Sequence, residues 1–262
     1  MGSEPLSPAY VLHRRPYRET SVLVELLTAR DGRLGALARG ARRRRSTRAA
    51  GGPVEPFVPL LVAWRGGGDL ATLTSWEASG GHHGLAGASL HCGFYVNELI
   101  LRLVTRGDGD AALFALYLAA LAGLAAPPTE GVEAAEPTRR QAPTSPALEN
   151  TLRRFEMSLL DWLGYGVDCQ RTISDEPIRA ETRYRFTGNG FAPEAQSDRG
   201  DSPLGVAETP PTEPTLRGAT VLALGRGDDL PGEALAEAKR LLRARLRPLL
   251  GAQPVRSRAL FK

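Results

Sequence analysis

Between Arg39 and Arg48 the chain places six arginines in ten residues, Arg39, Arg42, Arg43, Arg44, Arg45 and Arg48, with no carboxylate among them. Desolvating unpaired charges is too costly for such a run to be buried, so it stays at the surface. Guanidinium groups this dense repel one another unless an anion lies between them, and the planar fork of arginine matches phosphate oxygens better than an ammonium does. The chemistry on offer is polyanion binding. The plainer alternative is a solvated loop in a chain that uses arginine almost everywhere, Lys239 and Lys262 being its only lysines.

No other grouping supports bond-making chemistry. His82, His83, His91 and Cys92 are possible metal ligands, but adjacent histidines in a glycine-rich turn rarely meet one ion from the same side. Asp108 with Asp110, and Asp228 with Asp229, resemble fragments of a two-metal site, yet both pairs fall between helical runs, where helix caps belong. Gly66, Gly67 and Gly68 lack the Lys-Ser/Thr of a phosphate-cradling loop, and no serine has a triad context. The expectation is a protein with no catalytic residues, no metal and no cofactor.

The 262 residues, 42% of them hydrophobic, suffice for a real core and two or three small domains. Two cysteines, Cys92 and Cys169, make neither a disulfide framework nor a four-cysteine zinc site. Positive charge is concentrated at two places. From His13 to Arg48 eleven arginines face three acids, a net of +8, and from Lys239 to Lys262 eight basic residues face none, again +8. With a total of +4, the rest of the chain carries −12. Two basic ends on an acidic body suggest positioned anion-binding surfaces. Met1 to Arg15 lacks an apolar core and a cleavage signature, so the chain is expected to remain in the cytoplasm. The longest charge-free stretch, Ala111 to Ala126, falls short of the roughly twenty residues of a bilayer span and reads as a buried helix; no membrane partner is expected.

Short strands are expected at Tyr10–Leu12, Ser21–Leu27 and Leu34–Ala38, with Asp31-Gly32 as a hairpin signal. Phe57–Trp64 and Leu70–Trp76 flank Gly66-Gly67-Gly68-Asp69 as a second hairpin. Five strands in under eighty residues fit a small barrel, of which the oligonucleotide-binding fold is the five-stranded version. Trp76 continues an alternating strand and is expected in its core, while Tyr17 and Trp64 are left open between core and base stacking. The period then changes to helical. Leu90, Phe94, Asn97, Leu101 and Val104 mark one helix, Ala111 to Leu124 a second, and Leu148, Leu152, Phe155, Leu159 and Leu163 a third ending at Gly164, all expected to form one bundle. Tyr184-Arg185-Phe186 and Phe191 flank Gly188-Asn189-Gly190 as a short hairpin. The last helix runs from about Pro231 to Leu250, with Leu235, Leu242, Leu246 and Leu249 on one side and Arg240, Arg243 and Arg247 on the other. The segments near 127–146 and 196–214 lack periodicity and read as linkers.

Several motifs, in order, resemble the bacterial DNA repair and recombination mediator family RecO. They are Val11-Leu12-His13-Arg14-Arg15-Pro16-Tyr17-Arg18-Glu19-Thr20-Ser21, Leu37-Ala38-Arg39-Gly40-Ala41-Arg42 and Gly93-Phe94-Tyr95-Val96-Asn97-Glu98-Leu99. Further on come Arg153-Arg154-Phe155-Glu156, Leu163-Gly164-Tyr165-Gly166, and the Lys239-Arg240 helix with Arg247-Pro248 and Ser257-Arg258-Ala259-Leu260-Phe261. The resemblance covers nearly all of the chain except the two linkers. It implies an α+β protein, with an oligonucleotide-binding barrel over 1–80 and a mainly helical domain with a short hairpin over 81–262. It further implies non-catalytic binding and annealing of single- and double-stranded DNA in repair and recombination, near the nucleoid. The implied partners are RecR and the C-terminal tail of single-stranded-DNA-binding protein, with recombinase loading as the outcome. The expected DNA-contacting set is Arg14, Arg15, Arg39, Arg42, Arg43, Arg44, Arg45 and Arg48. The expected tail-binding set is Lys239, Arg240, Arg243 and Arg247 over a floor that includes Leu242 and Leu246. Some RecO proteins carry a four-cysteine zinc site where this chain has Cys169 alone, so that region is expected to be held by packing. The alternative reading is an RNA-binding barrel protein, because a groove that tracks phosphates does not itself tell RNA from DNA.

Overall fold

A computed structural model describes residues 6–41, 52–81, 83–125, 144–194 and 213–257. The chain divides into two compact units, one of Met1–Thr144 with Gln253–Lys262, the other of Ser145–Ala252.

The first unit is built on a closed barrel of β1 (Ser7–Tyr17), β2 (Ser21–Thr28), β3 (Gly32–Ala38), β4 (Pro59–Arg65) and β5 (Ala71–Ala78), in the order β1-β2-β3-β5-β4. All contacts are antiparallel except the closing one, where Ala36 and Leu37 lie parallel to Ala71 and Thr72. Alternation explains the core. Val22, Val24 and Leu26 of β2 point inward with Ala36, Ala38, Leu60, Val62, Leu73 and Trp76, so Trp76 is core as expected. Gly66 and Gly68 take the positive φ values, 81° and 70°, that the β4–β5 turn requires.

Helices α1 (Gly87–Leu103) and α2 (Ala111–Ala125) belong to this unit. Leu12 has no partner in the β1–β2 register, which steps from Val11↔Leu26 to His13↔Glu25. This bulge frees the Leu12 carbonyl, and Asn97 of α1 donates to it at 2.9 Å while accepting from the Tyr117 hydroxyl of α2 at 2.8 Å. The Tyr10 ring lies 5.3 Å from that of Tyr117 and 6.0 Å from Phe114. Gly93 lets α1 close on the barrel, since a Cβ there would sit 2.9 Å from both Phe57 and Leu85. Glu98 accepts from the backbone N–H groups of Arg256 and Ser257 at 2.8 and 2.7 Å, fixing the returning C-terminal segment.

The second unit holds α3 (Pro146–Trp162), β6 (Arg183–Phe186), β7 (Phe191–Pro193), β8 (Thr215–Arg217), α4 (Gly218–Arg226) and α5 (Gly232–Leu250). Ser145 caps α3, with Pro146 at its first position and Gly164 at φ 81° beyond its end. The anticipated hairpin gains β8 as a third strand, giving the order β7-β6-β8. Neither β8 nor α4 was foreseen, because three residues show no period and α4 is a short helix. The single bundle is also corrected: α3 packs on α5, whereas α1 and α2 lie with the barrel. The reason is that α1 and α2 spend their apolar faces on strand residues such as Tyr10, which leaves α3 to bury Leu152, Phe155 and Leu159 within its own unit. Both linker segments lie largely outside the described residues.

Candidate nucleic-acid interface

The register of the barrel brings distant residues into one row. Arg15 lies opposite Leu23, Leu23 opposite Leu37, Leu37 beside Thr72, and Thr72 opposite Arg65. Directly paired residues share a sheet face, so these five side chains all lie on the outside. Leu23, Leu37 and Thr72 are half-buried there, and Arg15 and Arg65 are exposed. At about 4.8 Å between strands, the row spans about 19 Å. Among the described residues no carboxylate pairs with Arg15 or Arg65.

Around the row the chain adds cation and aromatic surface. Arg39 is exposed and follows the last β3 residue, Ala38, which pairs with Val22 next to the β1–β2 turn. Within that turn Arg18 adopts φ 52° and lies 5.3 Å from the ring of Tyr17, which is 38% exposed. Arg14 is exposed but tied down, donating to Val54 O at 3.1 Å and pairing with Glu55 at 3.2 Å. Arg42, Arg43, Arg44, Arg45 and Arg48 lie outside the described residues. Trp64 is partly buried against the core with Arg30 5.4 Å from its ring. Arg65 was missed in the sequence because it is a lone cation beside a glycine turn; only the register reveals it.

The far border of this face is a charged brace. Glu25 of β2 receives Arg33 at 3.1 Å and also Arg106, whose Nη1 donates to Asp69 O of the β4–β5 turn at 2.7 Å. The guanidinium of Arg106 fills the space over Gly35, where a Cβ would come within 2.8 Å of it. Arg33 also donates to the carbonyls of Leu101 and Val104 at 2.8 and 2.6 Å, satisfying and neutralising the C-terminal end of α1. Burial alone would raise the Glu25 carboxyl, but the Arg106 hydrogen bonds and the charges of Arg33 and Arg106 outweigh it and hold the group below the usual carboxylate range.

On α5, Arg240, Arg243 and Arg247 are exposed and carry no ion pair among the described residues. The rest of the anticipated tail-binding set is placed differently. Leu242 and Leu246 are fully buried, and Lys239 is held by Glu149 at 3.0 Å. These two leucines belong to the unit's own core, while Leu249 of the same apolar row stays half-buried.

Other candidates resolve into structure. His83 hydrogen-bonds the Tyr10 hydroxyl at 2.9 Å, His82 lies outside the described residues, and Cys92 is fully buried. Asp110 caps α2 through Leu113 N, whereas Asp228 and Asp229 pair with Arg226 and Arg154, so the second aspartate pair forms ion pairs rather than a cap. No group of three metal-ligating side chains occurs among the described residues. Around Cys169 the donor set does not fit zinc: burial pushes its thiol up to about 11, which disfavours the thiolate a metal needs. That region is held by more than packing. Asp168 accepts from Gln170 N and Arg171 N, Thr172 Oγ1 accepts from Ser174 N and Glu176 N, and Arg179 N donates to the Tyr184 hydroxyl. Among the described residues no helix is long and apolar enough to cross a membrane.

A five-stranded closed barrel whose outer face and β1–β2 turn carry arginines belongs to the oligonucleotide-binding-fold class. Residues 3–81 match the family described as recombination protein O, N-terminal. Over 259 residues the chain is 40% identical to the DNA repair protein RecO of Halorhodospira halophila, covering 97% of this chain and 95% of that one. It is 38% identical to the DNA repair protein RecO of Alkalilimnicola ehrlichii, over 98% and 90% of the two chains. For that of Haemophilus influenzae the identity is again 38%, over 100% and 97%. The chain belongs to the RecO family.

Proposed function

We propose that this chain is a non-catalytic protein of DNA repair and homologous recombination that binds DNA strands and anneals them, in the cytoplasm at the nucleoid. The observation that carries the reading is the row Arg15, Leu23, Leu37, Thr72 and Arg65 on the barrel. Cations at both ends meet phosphates, and the two half-buried leucines between them offer apolar surface to unstacked bases. Tyr17 is the exposed aromatic nearest the β1–β2 turn and suits sequence-tolerant stacking. Release of condensed counterions supplies most of the affinity, and screening of the bound strand's charge lets its complement approach. Sequence preference is slight, because phosphate contacts position a strand without reading it.

Family membership supports the further partners RecR and single-stranded-DNA-binding protein, and with them a part in loading recombinase on DNA that the latter coats. Both single- and double-stranded DNA present the phosphates this face requires.

Binding of matched DNA and RNA oligonucleotides to the wild type and to R15Q/R39Q/R65Q tests the reading, together with annealing in magnesium without ATP. The expected result is DNA binding and ATP-independent annealing by the wild type, both weakened in the variant. Preference for RNA would transfer the barrel to RNA processing. Metal-dependent cleavage of the strand would make it a nuclease.

A further inference from the structure

In the second unit the described basic side chains fall into two groups, apart from the half-buried Arg245, which donates to Tyr165 O and lies 5.2 Å from the Phe186 ring. Seven of them, Arg153, Arg154, Arg171, Arg183, Arg217, Arg226 and Lys239, each hold a carboxylate. Arg179, Arg185, Arg240, Arg243 and Arg247 are exposed and hold none among the described residues. Three of those five form one row on α5. With 3.6 residues per turn, positions 240, 243 and 247 fall within about 60° around the axis, and at 1.5 Å per residue they stand about 4.5 and 6 Å apart along it. The acids of α5 are both engaged elsewhere: Glu237, three residues before Arg240, is buried and accepts from Thr220 Oγ1 and Arg217 N, and Glu233 pairs with Arg217 at 2.7 Å.

What flanks the row decides its ligand. Leu241, Leu242 and Leu246 are fully buried and the neighbouring Lys239 is paired, so the apolar surface left on α5 near the arginines is the half-buried Ala244 and Leu249. An acidic peptide ending in apolar residues needs both a cationic edge and a pocket. A ligand recognised by charge alone needs only the edge. Repeated guanidinium groups at spacings of a few ångströms suit the repeating charge of a sugar-phosphate backbone.

We propose that Arg240, Arg243 and Arg247 form a second strand-binding surface, which takes the phosphates of one nucleic-acid strand while the barrel row holds another. This rests on the barrel reading and extends it. Annealing is faster when one protein holds both strands, and each compact unit supplies one surface. Neither surface reads sequence, so the pairing of bases alone decides which strands join.

The test uses the full chain and two non-complementary single strands, one with a donor dye and one with an acceptor. In the wild type, energy transfer between the strands is expected when each is at the protein's concentration. In R240Q/R243Q/R247Q the transfer is lost while one strand still binds, and annealing of complementary strands slows. The three positions are exposed, so the fold tolerates glutamine there, and circular dichroism checks it. The slope of log K against log salt for the strand on α5 becomes shallower by about 2.1, from about 0.7 per phosphate contact. Unchanged transfer and unchanged annealing in this variant would overturn the proposal. So would the loss of acidic-peptide binding with strand capture intact, which would make the row a protein-docking edge. Failure of the barrel reading shows separately, as a wild type that binds no strand or binds one irrespective of R15Q/R39Q/R65Q.

Discussion

Asn97 donates through Nδ2 to the carbonyl of Leu12 at 2.9 Å, and Leu12 is the residue that the β-bulge of β1 leaves unpaired. A defect in the barrel ladder is thereby satisfied from a helix 85 residues away in sequence. Asn97→Leu removes both of its hydrogen bonds and strands the Leu12 carbonyl and the Tyr117 hydroxyl in the core. At about 1–3 kcal/mol for each buried group left unpaired, the expected loss is about 3 kcal/mol. Urea denaturation followed by the first unit's signal measures it, and Tyr117→Phe, which strands only the Asn97 oxygen, should cost less.

Gly32 combines a left-handed backbone with no room for a side chain. Its φ is 61°, and a Cβ there would lie 2.7 Å from Gly109 Cα and overlap the Asp108 carbonyl oxygen. Gly32→Ala is expected to destabilise by more than the roughly 1 kcal/mol of a positive φ alone, because the β3 edge must part from the 107–109 segment that hydrogen-bonds Arg33. Gly40→Ala, at φ 72° but with open space around it, isolates the conformational part; equal thermal midpoints for the two variants would refute the account.

Acidification should weaken the first unit through two carboxylates. Burial raises the Glu98 carboxyl, but hydrogen bonds from Ser257 and Arg256 and the charge of Arg102 more than offset it, so it, like Glu25, is depressed below its ordinary range. A depressed carboxyl contributes stability that is present above its unfolded pKa, about 4.3, and is lost as pH falls through the lower folded value. Between those two values the unfolded chain binds more protons. The denaturant midpoint is therefore expected to fall as pH drops from about 5 towards 3, and the fall should be shallower in E25Q and E98Q.

The arginine run itself remains to be weighed against the row. Changing Arg42, Arg43, Arg44 and Arg45 to glutamine should weaken binding about equally on all sequences and make log K against log salt shallower by about 2.8 on single strands. Fluorescence anisotropy over a salt series measures this. An unchanged slope would mean that the row on the barrel face binds without the run.

Metal chelation provides a further check. With one cysteine around residue 169 and its thiol held protonated, treatment with a chelator should leave the thermal midpoint unchanged. Thr172→Val, which removes the acceptor of the Ser174 and Glu176 N–H groups, should lower it by about 1 kcal/mol equivalent.

Local signals in the sequence determined the elements. Alternation at Val22, Val24 and Leu26, the Asp31-Gly32 and Gly66-Gly67-Gly68 turns, and the helical spacing of Leu148 to Leu163 depend on neighbours a few residues away, so five strands and the longer helices were legible. The density of arginine between Arg39 and Arg48 was equally local. Only the tertiary structure decided which residues meet. The parallel contact of Leu37 with Thr72 closes the barrel and carries Arg65 into line with Arg15, and no local rule predicts a pairing across 35 residues. The same holds for the assignment of α3 to α5 instead of α1, which follows from which apolar faces remain after the barrel is covered. On α5 the sequence separated leucines from arginines correctly, but whether a leucine forms the wall of a groove or the inside of a core depends on what packs against it. Here α3 packs on α5, Leu242 and Leu246 are buried, and Leu249 stays half-buried.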